Sequence, residues 1–131
     1  MAENALVEGL IEDSIELVKE LDKGKYKPSK VIWYYYDDVD SWRLIIVNNE
    51  IDKLLPKQEP LAYKGIAEAI NKINLSSLSI SEVKLMKSGD PLIGAVSSLL
   101  RTGPDNLLRA NFSDTTLNGI FIKDMIILRS A

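Results

Sequence analysis

The chain has 131 residues, 46% of them hydrophobic and 27% charged, a balance that suits one folded domain and is too apolar for a disordered chain. It contains no cysteine and no histidine, which excludes disulfides, thiolate and imidazole metal sites, and the Ser/His/Asp and Cys/His nucleophilic systems. Sixteen Lys plus Arg against nineteen Asp plus Glu leave a net charge of −3, which disfavours the phosphate neutralisation that nucleic-acid binding requires.

From about Glu3 to Lys23 the apolar residues Leu6, Val7, Leu10, Ile11, Ile15, Leu17, Val18 and Leu21 recur at helical spacing. This pattern predicts an amphipathic N-terminal helix, free to project from the domain, with Gly24 as its stop. Its other face carries Glu8, Glu12, Glu16 and Glu20. Four like charges spaced by four residues repel by about 0.2 to 0.5 kcal/mol per pair, so they read as a solvated face or as an acidic strip for a basic partner. After a lysine-rich connection broken by Pro28, Val31 to Tyr36 and Trp42 to Val47 are rich in aromatic and β-branched residues. They flank the turn formers Asp37-Asp38-Val39-Asp40-Ser41, and together predict a β-hairpin. Both faces of its second strand are largely apolar, which predicts cover on both sides.

Asn48 or Asn49 is positioned to cap a short helix reaching Leu55, and a second helix is expected over Leu61 to Ile73. Ser76 to Ser81 reads as a loop or irregular edge, and Val83 to Met86 as a short third strand. Gly89-Asp90-Pro91 opens another helix, with aspartate at the cap and proline at the first helical position, running to about Arg101. Leu107 to Phe112 and Ile120 to Arg129 read as two strands joined by a turn around Asn118-Gly119, with an irregularity at Lys123-Asp124. The order predicts a single α+β domain, 1–131: a mainly antiparallel sheet of about five strands with helices packed against it.

Three constellations bear on chemistry. Asp37, Asp38 and Asp40 could hold Mg²⁺ or Mn²⁺ for work on a phosphorylated or nucleotide substrate, although aspartate is also an ordinary turn former. The run is not an EF-hand, since neither glycine at the sixth position nor glutamate at the twelfth is present. Gly89 to Gly94 has neither the Walker spacing nor Gly-x-Gly-x-x-Gly, so no cofactor is expected. Strand alternation places Trp33 and Tyr35 on one face and Tyr34 and Tyr36 on the other. Trp33, Tyr35, Trp42 and Arg43 are thereby candidates for an interaction surface. Arg43 and Arg129, each in apolar company on a strand, are expected to find a carboxylate partner or an interface, a structural ion pair before a catalytic role.

Trp33-Tyr34-Tyr35-Tyr36, Trp42-Arg43-Leu44-Ile45-Ile46, Ala62-Tyr63-Lys64-Gly65-Ile66 and Asp124-Met125-Ile126-Ile127-Leu128-Arg129 together resemble a group of short, uncharacterised bacterial α+β proteins. In that group an aromatic strand precedes a Trp-x-Leu strand, and the chain ends in a strand carrying arginine. The resemblance spans roughly residues 31 to 129 and implies a bacterial, cytoplasmic context, with no activity to transfer. The opening Met1-Ala2-Glu3-Asn4 does not resemble a secretory signal, and no apolar run approaches the roughly 18 to 20 residues of a membrane span. The expected function is therefore a non-catalytic accessory protein in the cytoplasm. It would bind another protein, or a second copy of itself, through the acidic helix, the aromatic hairpin or both. The alternative is the small metal-dependent enzyme built on the three aspartates.

Overall fold

The computed structural model describes residues 8–131, so the predicted helix start at Glu3 lies outside the described residues. Helix α1 (Glu8–Leu21) is followed by the hairpin strands β1 (Lys30–Tyr36) and β2 (Ser41–Val47), then α2 (Asn49–Leu54) and α3 (Glu59–Asn71). A 3-10 turn, Ile80–Glu82, leads into β3 (Val83–Leu85), and α4 (Pro91–Leu99), β4 (Ala110–Leu117) and β5 (Ile120–Ser130) complete the order. The fold is α+β, with one five-stranded sheet ordered β3-β2-β1-β5-β4.

The sheet is mixed. The β1/β2, β1/β5 and β4/β5 pairs are antiparallel as expected, but β3 runs parallel to β2. Parallel pairing needs a crossover, and α2, α3 and the loop after them supply it. The outward-facing Leu85 N–H of this short edge strand is occupied by Tyr63 Oη of α3 at 3.0 Å, which blunts the edge against further pairing.

Helices cover both faces, and this explains why the hairpin strands are apolar on both sides. Val31, Trp33, Leu44, Ile46, Ile126 and Leu128 pack with Ile11, Leu17, Val18 and Leu21 of α1 and with Ala62, Ile66 and Ala69 of α3. Ile32, Tyr34, Ile45, Val47, Met125 and Ile127 pack on the other face against Leu92, Ile93 and Val96 of α4. Over its described length α1 thus lies on the sheet instead of projecting, because Ile11, Leu17 and Val18 are buried there. Asp13 of α1 is also buried. Its Oδ2 accepts from Ser77 N at 2.6 Å and Leu78 N at 2.9 Å, tying α1 to the loop before β3.

Local capping follows the residue types. Asn48 Oδ1 accepts from Glu50 N and Ile51 N at the start of α2, and Asp90 Oδ1 accepts from Leu92 N at the start of α4. The β4/β5 hairpin turns at Asn118 (φ 48°) and Gly119 (φ 80°), the positive-φ pair of a two-residue hairpin loop. Strand β4 runs to Leu117, beyond the expected end at Phe112. Its polar residues suit an edge strand with a solvated face, and apolar patterning does not reveal such a strand. The ladder omits Asp114 against Lys123, Asp114 takes φ 47°, and the buried positions of β5 change parity between Ile122 and Met125. The irregularity expected at Lys123-Asp124 falls there.

A second irregularity positions Arg129. Val31 faces Arg129 but Ile32 faces Ile127, so Leu128 is the extra residue of a β-bulge. The bulge aims the fully buried Arg129 at the end of α1, where all five of its N–H donors are used. Nη1 and Nη2 grip Asp22 Oδ1 and Oδ2 at 2.9 and 3.0 Å. Nη1 also donates to Pro28 O, Nη2 to Asp105 O and Nε to Asn106 O. Arg129 is a structural rivet, as the expected carboxylate pairing implies.

Candidate functional site

The hairpin end of the sheet collects most of the residues singled out in the sequence, and it separates them by face. Trp33 is fully buried, with Nε1 donating to Ser14 Oγ at 3.0 Å. It belongs to the core under α1 and is no contact residue. Tyr35 is 5% exposed, stacks obliquely on Trp42 at 5.5 Å and 58°, and donates its hydroxyl to Asp40. Trp42 is partly buried, and its Nε1 finds no hydrogen-bond partner among the described residues. Arg43 has no carboxylate partner among the described residues. Its Nη1 donates to Ser41 Oγ and to Trp42 O within its own strand.

On the opposite face Tyr34 and Tyr36 meet edge to face, ring centres 4.9 Å apart at 66°. The Lys84 ammonium of β3 lies 5.0 Å from the Tyr36 ring centre, within cation–π range. Burial raises the Tyr34 phenol above its ordinary pKa. Tyr36 is pushed up to about 12, chiefly by burial and then by Tyr34 and Asp90, while Arg43 acts in the opposite sense. Both phenols are therefore neutral hydrogen-bonding groups at ordinary pH.

Because β5 lies beside β1, it brings Phe121 and Lys123 to the hairpin end, where Ile120 and Ile122 pack with Tyr34 and Tyr36 and alternation places Phe121 between them on the opposite face. With Tyr34 to Asp38, Phe121 and Lys123 line a pocket of about 210 Å³. Phe121 is 57% exposed and Val39, at the hairpin tip, 62%. Asp37 and Asp38 are exposed on the turn, with no ion pair or side-chain hydrogen bond among the described residues. No three acidic side chains among the described residues gather as a metal ion would require, the Asp37, Asp38 and Asp40 group included. Asp40 is engaged by Tyr35. A second cleft, of about 470 Å³, lies beside β3 and contains Lys84, Lys87, Glu59 and Asp90, two charges of each sign.

Glu8, Glu12 and Glu16 are exposed and Glu20 half-buried. Glu8 pairs with Arg109 at 2.8 Å, Glu16 with Lys19 at 3.6 Å and Glu20 with Lys23 at 3.4 Å. These contacts neutralise much of the strip that the sequence presents as continuous. Phe121, Lys123 and Lys84 escaped sequence reasoning, because only the β1/β5 and β2/β3 pairings bring them to the tyrosines. No local pattern signals those neighbours.

No protein-family model, curated protein or solved structure matches the chain, so the bacterial group it resembles gains no support from these comparisons. Among the described residues no helix is long and apolar enough to cross a membrane.

Proposed function

We propose that this chain works by binding another protein through the hairpin end of its sheet. The observation that carries the reading is the joint exposure of Phe121 and Val39 beside an aromatic pocket with two unpaired carboxylates. Large apolar side chains left in water next to a concave, polar-rimmed site are a common mark of recognition surfaces. The helix contributes less than its sequence suggests, since three of its four glutamates are satisfied within the chain. On this reading the chain is a single α+β domain whose amphipathic first helix closes the sheet and leaves the hairpin end to meet the partner.

Affinity capture from the native host separates the two surfaces. A Val39→Ser/Phe121→Ser variant is expected to lose a stoichiometric partner that a Glu12→Lys/Glu16→Lys variant retains. The reverse pattern overturns the reading and returns the interaction to α1. Sedimentation equilibrium of the purified chain shows whether that partner is a second copy.

A further inference from the structure

We propose that the cleft beside β3 is a docking slot for an extended peptide segment, which joins the sheet as an added strand running parallel to β3. The inference goes beyond the hairpin surface, since neither Val39 nor Phe121 lines this cleft. Four consecutive residues, Lys84, Leu85, Met86 and Lys87, do line it. Successive side chains along a strand point to opposite faces, so a cavity touching all four runs along the main chain at the edge of the sheet. Leu85 buries its side chain in the core shared with α1 and α3, which leaves its main chain for the cleft. Leu55 and Pro56 add apolar lining, and the volume of about 470 Å³ falls within the roughly 300 to 1,000 Å³ of ligand sites.

The hydrogen bonds select the direction of the added strand. Met86 N donates to Ile46 O at 3.3 Å, so Lys84 and Met86 turn their main-chain groups toward β2, while Leu85 and Lys87 turn theirs outward. Two of these four outward groups are taken. Leu85 N donates to Tyr63 Oη at 3.0 Å, and Lys87 O accepts from Asp90 N at 3.0 Å. Leu85 O and Lys87 N have no hydrogen-bond partner among the described residues. An antiparallel neighbour pairs with both the N–H and the C=O of one residue, and at Leu85 and at Lys87 one of the two is occupied. A parallel neighbour instead donates to one carbonyl and accepts from the N–H two residues further on. Leu85 O and Lys87 N are that pair, and strand addition draws its affinity from such main-chain bonds. The charges of the cleft, Lys84 and Lys87 against Glu59 and Asp90, cancel. An uncharged segment therefore fits, with its central side chain on the face of Met86.

The test is an amide chemical-shift titration of the full chain with the blocked tripeptide acetyl-Thr-Val-Thr-amide. Saturable shifts at Leu85, Met86 and Lys87 are expected at millimolar concentration, the largest at the Lys87 N–H, which gains an acceptor. Methylating the valine nitrogen of the peptide removes the donor to Leu85 O and is expected to weaken binding about tenfold, the scale of one main-chain hydrogen bond lost. Methylating the last threonine nitrogen, whose N–H points away from β3, is expected to leave binding unchanged. A nitroxide on the amino end of the peptide broadens Val83 and Lys84 first, and one on the carboxyl end broadens Ser88 and Gly89. Tyr63→Phe frees Leu85 N and admits the antiparallel orientation as well, so that either nitroxide then reaches both ends; an unchanged circular dichroism spectrum certifies its fold.

Absence of saturation, equal weakening by the two methylations, or the reversed order of broadening overturns the proposal. These three results come from changes to the peptide alone and do not depend on any variant folding. A single direction retained in Tyr63→Phe overturns the Tyr63 hydroxyl as the group that sets the direction.

Discussion

Replacing Arg129 by methionine removes a fully buried guanidinium that grips Asp22 with two parallel bonds and three backbone carbonyls with the remainder. Methionine keeps much of the volume and none of the donors. Breaking a buried ion pair from one side costs about 3 to 5 kcal/mol. The Asp22 side chain is 25% exposed and recovers water, which places this case near the lower end, at about 3 kcal/mol. For a chain of this length that corresponds to a fall of about 10 °C in Tm. Urea unfolding followed by circular dichroism measures the loss directly. Arg129→Lys keeps the charge but cannot reproduce the planar fork, so it restores only part of it. In Arg129→Met/Asp22→Leu the orphaned carboxylate is also gone, and the double variant is expected to lose less than the sum of the two singles. A loss below about 1 kcal/mol for Arg129→Met, the level of a solvated surface pair, refutes the assignment of this residue as the rivet of the α1 end.

Asp13→Ala leaves Ser77 N and Leu78 N without their acceptor. It should lower unfolding free energy by about 1 to 3 kcal/mol, with amide exchange accelerated first in the 76–82 segment. Asp13→Asn retains an acceptor oxygen and should lose less. Spectrophotometric titration of the phenols should show one group ionising near pH 12 that disappears in Tyr36→Phe. A phenol ionising near 10 when unfolded and near 12 when folded holds its proton more tightly in the native state. Its stabilising contribution is therefore complete below pH 10 and is lost as pH rises toward 12. Tyr36→Phe should flatten that decline, and an unchanged decline would show that Tyr36 is not its source.

What was legible in the sequence was local. The first hairpin shows because aromatic and β-branched runs flank a short aspartate turn, and the caps of α2 and α4 show because Asn48 and Asp90 precede helices directly. Alternation also assigns Trp33 and Tyr34 to opposite faces. It does not reveal that α1 covers Trp33 while the hairpin end beyond Tyr34 remains open. Long-range pairing was not legible: nothing in Val83 to Leu85 signals a parallel neighbour, and nothing in Phe121 signals proximity to Tyr36. No local pattern gives the role of Asp13, which depends on two backbone N–H groups more than sixty residues away. The site was therefore half visible. Its tyrosines and aspartates sit on the hairpin, whereas its phenylalanine and lysine arrive from a strand that only tertiary pairing brings alongside.

The sheet order has a consequence for how the chain comes into being. Strand β5 occupies the slot between β1 and β4, yet it is the last of the five to be translated. At about 5 to 20 residues per second, the β1–β2 hairpin waits several seconds with an open flank before β5 emerges to fill it. During that wait Trp33 and Ile32 lack their cross-strand neighbours Ile126 and Ile127, and Asp22 lacks Arg129. A nascent chain halted before β5 is thus an incomplete sheet with a sticky edge, the kind of intermediate that ribosome-associated chaperones hold.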